Sequence, residues 1–391
     1  VTFIPPLDLT RQYHDIQTEV EAAVMAVLAS GRYIGGQAIE TFEQKFAQYI
    51  GAKEGIACNS GTDALYLALR VLGIGAGDEV ITSPFTFIAT AEMISAVGAT
   101  PVFIDIDADT FNLNLEQIEA AITPRTKAIM PVHLFGQPVD MTRVMAIAHK
   151  HHLAVIEDCA QAVGAQWQGQ TVGSIGHIGC FSFYPTKNLG ACGDGGAITT
   201  NDATLTAKMR VLRNHGQSQT YIHEAIGVNS RLDAIQAVIL GVKLQYLDRW
   251  NEQRRAIAAR YHALLASVPG VVAPQEVAGG HHVWHQYTIR LTEAAEQNGD
   301  QLGQYRNTIR QAMQQHEIGC MVYYPVPLHR QPVYESLGYG VGSLPVAERV
   351  ANQVLSLPMF PELTLDEQQM IVKTLQQVLE KSPQAIAEAS A

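Results

Sequence analysis

The sequence predicts an α/β protein: a large domain on a mostly parallel sheet with helices on both faces, then a smaller α+β domain. Two features of the chain point there. From about Ala57 to Thr200, short unbroken apolar runs alternate with segments of helical periodicity. Strands buried on both faces read as continuous apolar runs, and parallel neighbours need helical crossovers between them. After Asn229 the alternation stops, and a long helical stretch, one strand pattern and a proline-rich segment follow. The expected division is 1–245 for the large domain, with 1–30 as an N-terminal helical arm, and 246–391 for the small one.

Taken in order, residues 10–30 place Ile16, Val20, Val24 and Val27 or Leu28 on one helical face, ending at Gly31. A loop, GRYIGG, comes next. EVITSP, TPVFIDI, AIMPVHLFG and LAVIEDCA are strand candidates, with ALYLALRVL, TAEMISAVG and MTRVMAIAHKHH as the helices between them. A helical pattern spans about Ala234 to Val268. It is followed by the strand pattern WHQYTIRL, a charged helix near Asn307–His316, the segment VYYPVPLHRQPVY and a final helix over about Leu365–Leu379. The last residues, SPQAIAEASA, carry few large side chains and are expected to fray.

Composition narrows the function classes. A chain of 391 residues, 47% hydrophobic and 16% charged, is long enough to bury a large core. Its net charge of −11 argues against general nucleic-acid binding, because no basic surplus exists to neutralise phosphates. No apolar run reaches the roughly 18–20 residues that span a bilayer, and no signal-like segment opens the chain, so the expected location is the cytoplasm. The five cysteines lack CxxC spacing and read as reduced, mostly buried thiols. Histidines cluster at His149, His151 and His152 and at His281, His282 and His285. Helix-end and strand-edge packing explains such clusters, and no metal ligand is assigned.

Three segments carry chemistry. Lys187 lies in FSFYPTKNLGACGDGGA, among aromatics, a proline and small residues. An apolar frame disfavours the ammonium and leaves a nucleophilic amine able to form a Schiff base. Ser60-Gly61-Thr62 follows a short apolar run and opens a helix, where free N–H groups and the helix dipole favour an anion. The same residues also suit an ordinary N-cap. Asp158 ends an apolar strand, on the sheet edge where open α/β folds bind ligands. A carboxylate there could keep a pyridine nitrogen protonated, with Gln161 beside the ring hydroxyl. Sequence alone leaves open which of Glu157 and Asp158 faces the site.

The set SGTDAL, EDCAQA, FSFYPTKNLGACGDGGA, GVNSRLDAIQA and YYPVPLH closely resembles the DegT-type (DegT/StrS) sugar aminotransferases, which use pyridoxal 5′-phosphate (PLP). The resemblance runs from about Ile4 to Glu380. It implies the type I, aspartate-aminotransferase-like fold: a large domain on a mixed seven-stranded sheet, a small C-terminal α+β domain, and a homodimer with shared active sites. It casts Lys187 as the Schiff-base lysine and Asp158 as the partner of the pyridine nitrogen, with Gln161 beside the ring hydroxyl. Gly61, Thr62 and Ser182 become phosphate ligands, and Phe87 the aromatic that stacks on the ring. Asn229 would reach the phosphate from the other subunit. Arg231, His329 and Tyr323 fall in segments that line the sugar-nucleotide pocket, Tyr323 standing where many relatives have histidine. His215 and Tyr33 are further candidates at the substrate mouth.

The implied reaction moves an amino group from an amino acid, glutamate in the first instance, to a nucleoside-diphosphate-linked keto-hexose. The NHGQ and YYPVPLH segments are more similar to relatives acting at C3 than at C4. A dehydratase of the same fold is the first alternative, but there the lysine position carries histidine. A regulatory homologue is the second, and would not need the lysine, carboxylate, glutamine and phosphate cup together. A nicotinamide oxidoreductase lacks its GxGxxG signature here.

Overall fold

The computed structural model describes residues 3–292 and 303–389, with side chains to residue 381. Seven strands form the central sheet: β1 Glu54–Cys58, β2 Glu79–Thr82, β3 Thr100–Phe103, β4 Thr126–Met130, β5 Ala154–Asp158, β6 Ile178–Ser182 and β7 Gly196–Thr200. They lie in the order β1-β7-β6-β5-β4-β2-β3. Strands β6, β5, β4, β2 and β3 run parallel. Strand β7 is antiparallel to both of its neighbours, so the sheet is mixed.

Helices cover both faces, which is why nearly every sheet residue is buried and the strands read as continuous apolar runs. The helix α1 Leu9–Ser30 is capped by Asp8, whose carboxylate accepts from the N–H groups of Thr10 and Arg11, and Gly31 ends it at φ 64°. Its predicted face holds: Ile16 and Val20 pack with Ile239 and Trp250. The helix α2 Gln37–Ile50 was not anticipated, although Ile39, Phe42, Phe46 and Ile50 recur at helical spacing. Phe42 and Phe46 pack edge-on against Phe181 and Phe183, with ring centroids 5.0–5.5 Å apart.

The helices α3 Gly61–Val71, α4 Ala89–Ala96 and α5 Met141–His151 match the predicted crossovers. The helix α6 Ala203–Leu212 is a second one that sequence reasoning passed over. The single stretch expected from Ala234 is two helices, α7 Ala234–Lys243 and α8 Leu247–Leu265. At the break, the N–H groups of Gln245, Tyr246 and Leu247 bond carbonyls three residues back instead of four, and the tightened turn redirects the chain.

Beyond α8, a small antiparallel sheet joins β8 Val271–Val272, β9 Tyr287–Leu291 and β10 Val354–Leu357. The helices α9 Gln304–Gln315, α10 Pro345–Gln353 and α11 Leu365–Ala389 complete the chain. Tyr261, Tyr287, Ile309, Leu355, Phe360 and Ile371 share one core with Ile4 from the other end of the sequence. The last helix continues past the expected end at Leu379 to Ala389, and the final two residues of the tail expected to fray lie outside the described residues. Cys58, Cys159, Cys180 and Cys320 are buried free thiols, and Cys192 is exposed. No helix among the described residues is long and apolar enough to cross a membrane.

Candidate active site

A cavity of about 430 Å³ opens at the carboxyl ends of the parallel strands. Gly61, Thr62, Phe87, Asp158, Gln161, Ser182, Lys187 and Tyr323, all singled out from sequence, line it.

Lys187 stands on a tight turn just after β6. Its N–H bonds the carbonyl of Tyr184 (2.9 Å), and Ala191 N–H returns to Phe183 (2.8 Å). The neighbouring Asn188 pins the turn from beneath. Its Nδ2 donates to Asn251 Oδ1 (2.9 Å) and Val283 O (3.0 Å), while His285 Nδ1 lies 3.1 Å from its Oδ1. Buried Phe181 and Phe183 supply the apolar frame read from the sequence. Burial draws the lysine ammonium down to about 8, with the Asp158 charge opposing it. A useful fraction of neutral amine is therefore present near neutral pH.

Consecutive residues of β5 face opposite ways, so the two carboxylates go to different sides, and packing settles which goes where. Asp158 turns to the cavity. Its Oδ2 accepts from Thr90 Oγ1 (2.8 Å) and its Oδ1 from Ala160 N–H (3.1 Å). Burial raises its proton affinity, and these two bonds and the Lys187 ammonium offset that in part. Glu157 turns the other way, where its carboxylate accepts from the N–H groups of Gly173 (2.8 Å), Ile175 (3.0 Å) and Gly176 (2.6 Å). His133 Nδ1 accepts from Val139 N–H (3.0 Å), so the ring hydrogen sits on Nε2 and is donated to Glu157 (3.1 Å). Cys159 lies within 4.8 Å of this pair, but the hydrogen bonds already account for the His133 and Glu157 atoms.

The anion cup combines a helix start with a strand end. Ser60 does cap α3, its Oγ accepting from Asp63 N–H (3.1 Å). That leaves the N–H groups at Gly61 and Thr62 directed off the helix end. Glycine is required at 61 because a Cβ there would lie 2.6 Å from Ser182 Cβ. Gly196 is required for a similar reason, since its Cβ would run into the Ser60 backbone. The glycines after Lys187 thus serve close approach; Gly193, Gly195 and Gly196 do not adopt positive φ.

Gln161 is held at both ends of its amide. Its Oε1 accepts from Phe135 N–H (2.7 Å) and its Nε2 donates to Tyr324 Oη (2.9 Å). Phe87 is 57% exposed at the cavity mouth, and the half-buried Tyr323 ring packs 5.8 Å from Tyr324. Thr86, Thr90, His285 and Tyr324 also line the cavity and were not singled out as site residues. His285 was visible only as part of a histidine cluster. Of its cluster mates, His282 stacks on Trp284 at 3.8 Å and His281 is half-buried beside Glu252. No local pattern marks the two threonines.

Four predicted substrate residues, His329, Arg231, His215 and Tyr33, and the predicted phosphate contact Asn229 do not line the cavity of the single chain. The His329 ring is buried, with Nε2 3.1 Å from Glu348. Arg231 donates to Asn214 Oδ1 (2.8 Å). Asn229 and His215 are exposed on the excursion between α6 and α7. Tyr33 is exposed, its carbonyl tied to Ala234 N–H.

The model of the DegT/DnrJ/EryC1/StrS aminotransferase family matches residues 14–376. The chain belongs to that family. Family relatives include a protein from Geobacillus stearothermophilus named pleiotropic regulatory protein, 50% identical over 95% of this chain and 97% of its own. Another, from Acidithiobacillus ferrooxidans, is named UDP-N-acetyl-3-dehydro-alpha-D-glucosamine 3-aminotransferase; it is 47% identical, over 97% of this chain and 98% of its own. The crystal structure of DesV from S. venezuelae, solved with a ketimine intermediate, superposes with a TM-score of 0.91 at 42% identity, covering 96% of this chain and 98% of that one. The chain is thus an aminotransferase of the PLP-dependent type I fold. Its residues fit that cofactor: a partly desolvated lysine, a buried carboxylate and a cup kept open by glycine face one cavity.

Proposed function

We propose that the protein transfers an amino group from L-glutamate to the C3 keto group of a nucleoside-diphosphate-linked keto-hexose. The observation that carries this is the convergence of Lys187, Asp158 and the Gly61–Thr62–Ser182 cup on one cavity. The name of the Acidithiobacillus relative, a 3-aminotransferase of a 3-dehydro sugar nucleotide, supports the sugar and the carbon.

When bound, PLP supplies an aldehyde for amine exchange and a ring that withdraws electrons. Lys187 provides the covalent anchor. With the donor bound, its neutral Nζ would serve as the base that takes the proton of the donor α-carbon and gives one back. Asp158 would accept the hydrogen bond of the ring nitrogen and hold its proton in place. Gly61 and Thr62 N–H groups and the Ser182 hydroxyl would hold the phosphate, Phe87 would stack on the ring and Gln161 would bond the ring hydroxyl. Running the same steps in reverse onto the keto-sugar predicts ping-pong kinetics.

The proposal includes a homodimer in which a second copy of the chain brings Asn229 to the phosphate. Arg231, His215 and Tyr33 would then enter the sugar-nucleotide pocket from that copy. The excursion carrying Asn229 supports this, exposing Tyr221 (89%) and Ile226 (84%) at its tip, apolar surface suited to burial against a partner. A domain boundary near residue 245 belongs to the same reading and is supported by the helix break there and the separate core beyond it.

The test starts with purified protein and PLP, which should give a visible absorption band fixed to Lys187 by borohydride. L-Glutamate should bleach the band and release 2-oxoglutarate, and a 3-keto sugar nucleotide should restore it. Protein that takes up no PLP would refute the reading, and recovery by 4-keto but not 3-keto sugars would refute the position.

A further inference from the structure

The carboxylate assigned to the ring nitrogen does not stand alone. Thr90, in the first turn of α4, is 1% exposed and Thr86, four residues earlier in the loop before the helix, is 3% exposed. Thr90 Oγ1 reaches Asp158 Oδ2 at 2.8 Å, and Thr86 Oγ1 lies 3.2 Å from Thr90 Oγ1. A threonine hydroxyl at or just before a helix start commonly bonds the local backbone. These two point away from it, one to the other and on to the acid.

The directions of these bonds follow from counting hydrogens. An ionised carboxylate only accepts, so Thr90 must donate its single hydrogen to Asp158. Thr90 can then only accept from Thr86, which fixes Thr86 as donor. Ala160 N–H serves the other carboxylate oxygen at 3.1 Å. Each hydroxyl polarises the next, and such chains strengthen their terminal bond. These bonds fix the rotamer of the carboxylate and favour its ionised form against the burial that raises its proton affinity.

We propose that Thr90, with Thr86 behind it, is a positioning residue for the reaction: a two-hydroxyl relay that keeps Asp158 ionised and aimed into the cavity. The relay has no contact with the reacting atoms in this account and acts through Asp158. It rests on the reading of Asp158 as the partner of the ring nitrogen, and its first test does not.

That test follows the Asp158 carboxyl directly, by ¹³C NMR of cofactor-free protein labelled at aspartate, with Asp158→Asn identifying the resonance. Thr90→Val keeps the shape and removes the hydroxyl, so the titration midpoint of Asp158 should move up. Thr90→Ser should titrate as the parent does, and Thr86→Val should fall between them. If Thr90→Val does not fold, the serine and Thr86→Val proteins decide the matter. An Asp158 midpoint that stays put in Thr90→Val, or in Thr86→Val where only that protein folds, overturns the relay.

On the PLP-loaded protein, the visible band of Thr90→Val should titrate differently from the parent. Bleaching by L-glutamate should slow on the order of tenfold, as for loss of one hydrogen bond to a charged group, and recover in Thr90→Ser. A moved carboxyl midpoint beside an unmoved band upholds the relay and severs Asp158 from the cofactor, so the two ideas fail separately.

Discussion

Replacing Lys187 by methionine should make the cofactor-free protein more stable, even though it removes the residue on which activity depends. Burial draws the ammonium from its ordinary 10.5 down to about 8. Those roughly 2.5 pH units, at about 1.36 kcal/mol each, correspond to about 3 kcal/mol charged against the folded state. The attraction of Asp158 is already included, since it opposes the shift. The sign follows from proton binding. Between pH 8 and 10.5 the unfolded chain holds the lysine proton and the folded chain does not, so stability rises with pH across that window. Below pH 8 both states hold the proton and the full cost remains. Lys187→Met should therefore exceed the parent by up to about 3 kcal/mol at pH 7, with the gap closing as pH approaches 10.5. Urea unfolding of both proteins at several pH values, without PLP, measures it. A variant no more stable than the parent at pH 7, or a gap that ignores pH, would show that the folded chain does not desolvate this ammonium.

Three other substitutions separate the parts of the site. Gly61→Ala brings a Cβ to 2.6 Å from Ser182 Cβ; a cost of about 1–3 kcal/mol and weakened PLP retention are expected, read by thermal unfolding and dialysis against phosphate. Asp158→Asn should keep PLP bound while slowing glutamate-dependent bleaching steeply, and a near-parental rate would mean that another group holds the ring nitrogen. Glu157→Gln exposes an amide NH₂ to a nest of backbone donors. It should lower stability by about 1.5–3 kcal/mol in thermal unfolding, and an unchanged melting temperature would contradict the bonding described for that side of β5.

Much of the large domain was legible because its signals are local. The crossovers α3 to α5 showed helical spacing between apolar runs, and Lys187 stood out by its own neighbours. The misses have physical causes. The α2 signal, with Ile39, Phe42, Phe46 and Ile50 at helical spacing, was present and was passed over beside the glycine loop that precedes it. The break after Lys243 carries neither glycine nor proline to mark it.

By itself, the sequence determined the order of the chemistry: an anion cup at a helix start, an acid at a strand end, and a lysine in an apolar turn. Only the tertiary structure decided how they face one another. A strand buried on both sides is apolar on both, so nothing in LAVIEDCA marks its phase; packing alone sends Asp158 to the cavity and Glu157 to the 173–176 turn. The bond from Thr90 to Asp158 spans 68 positions, and that of His285 to Asn188 spans 97. Such contacts leave no periodicity for a sequence to display, because they come into being only when the sheet brings distant segments to one edge.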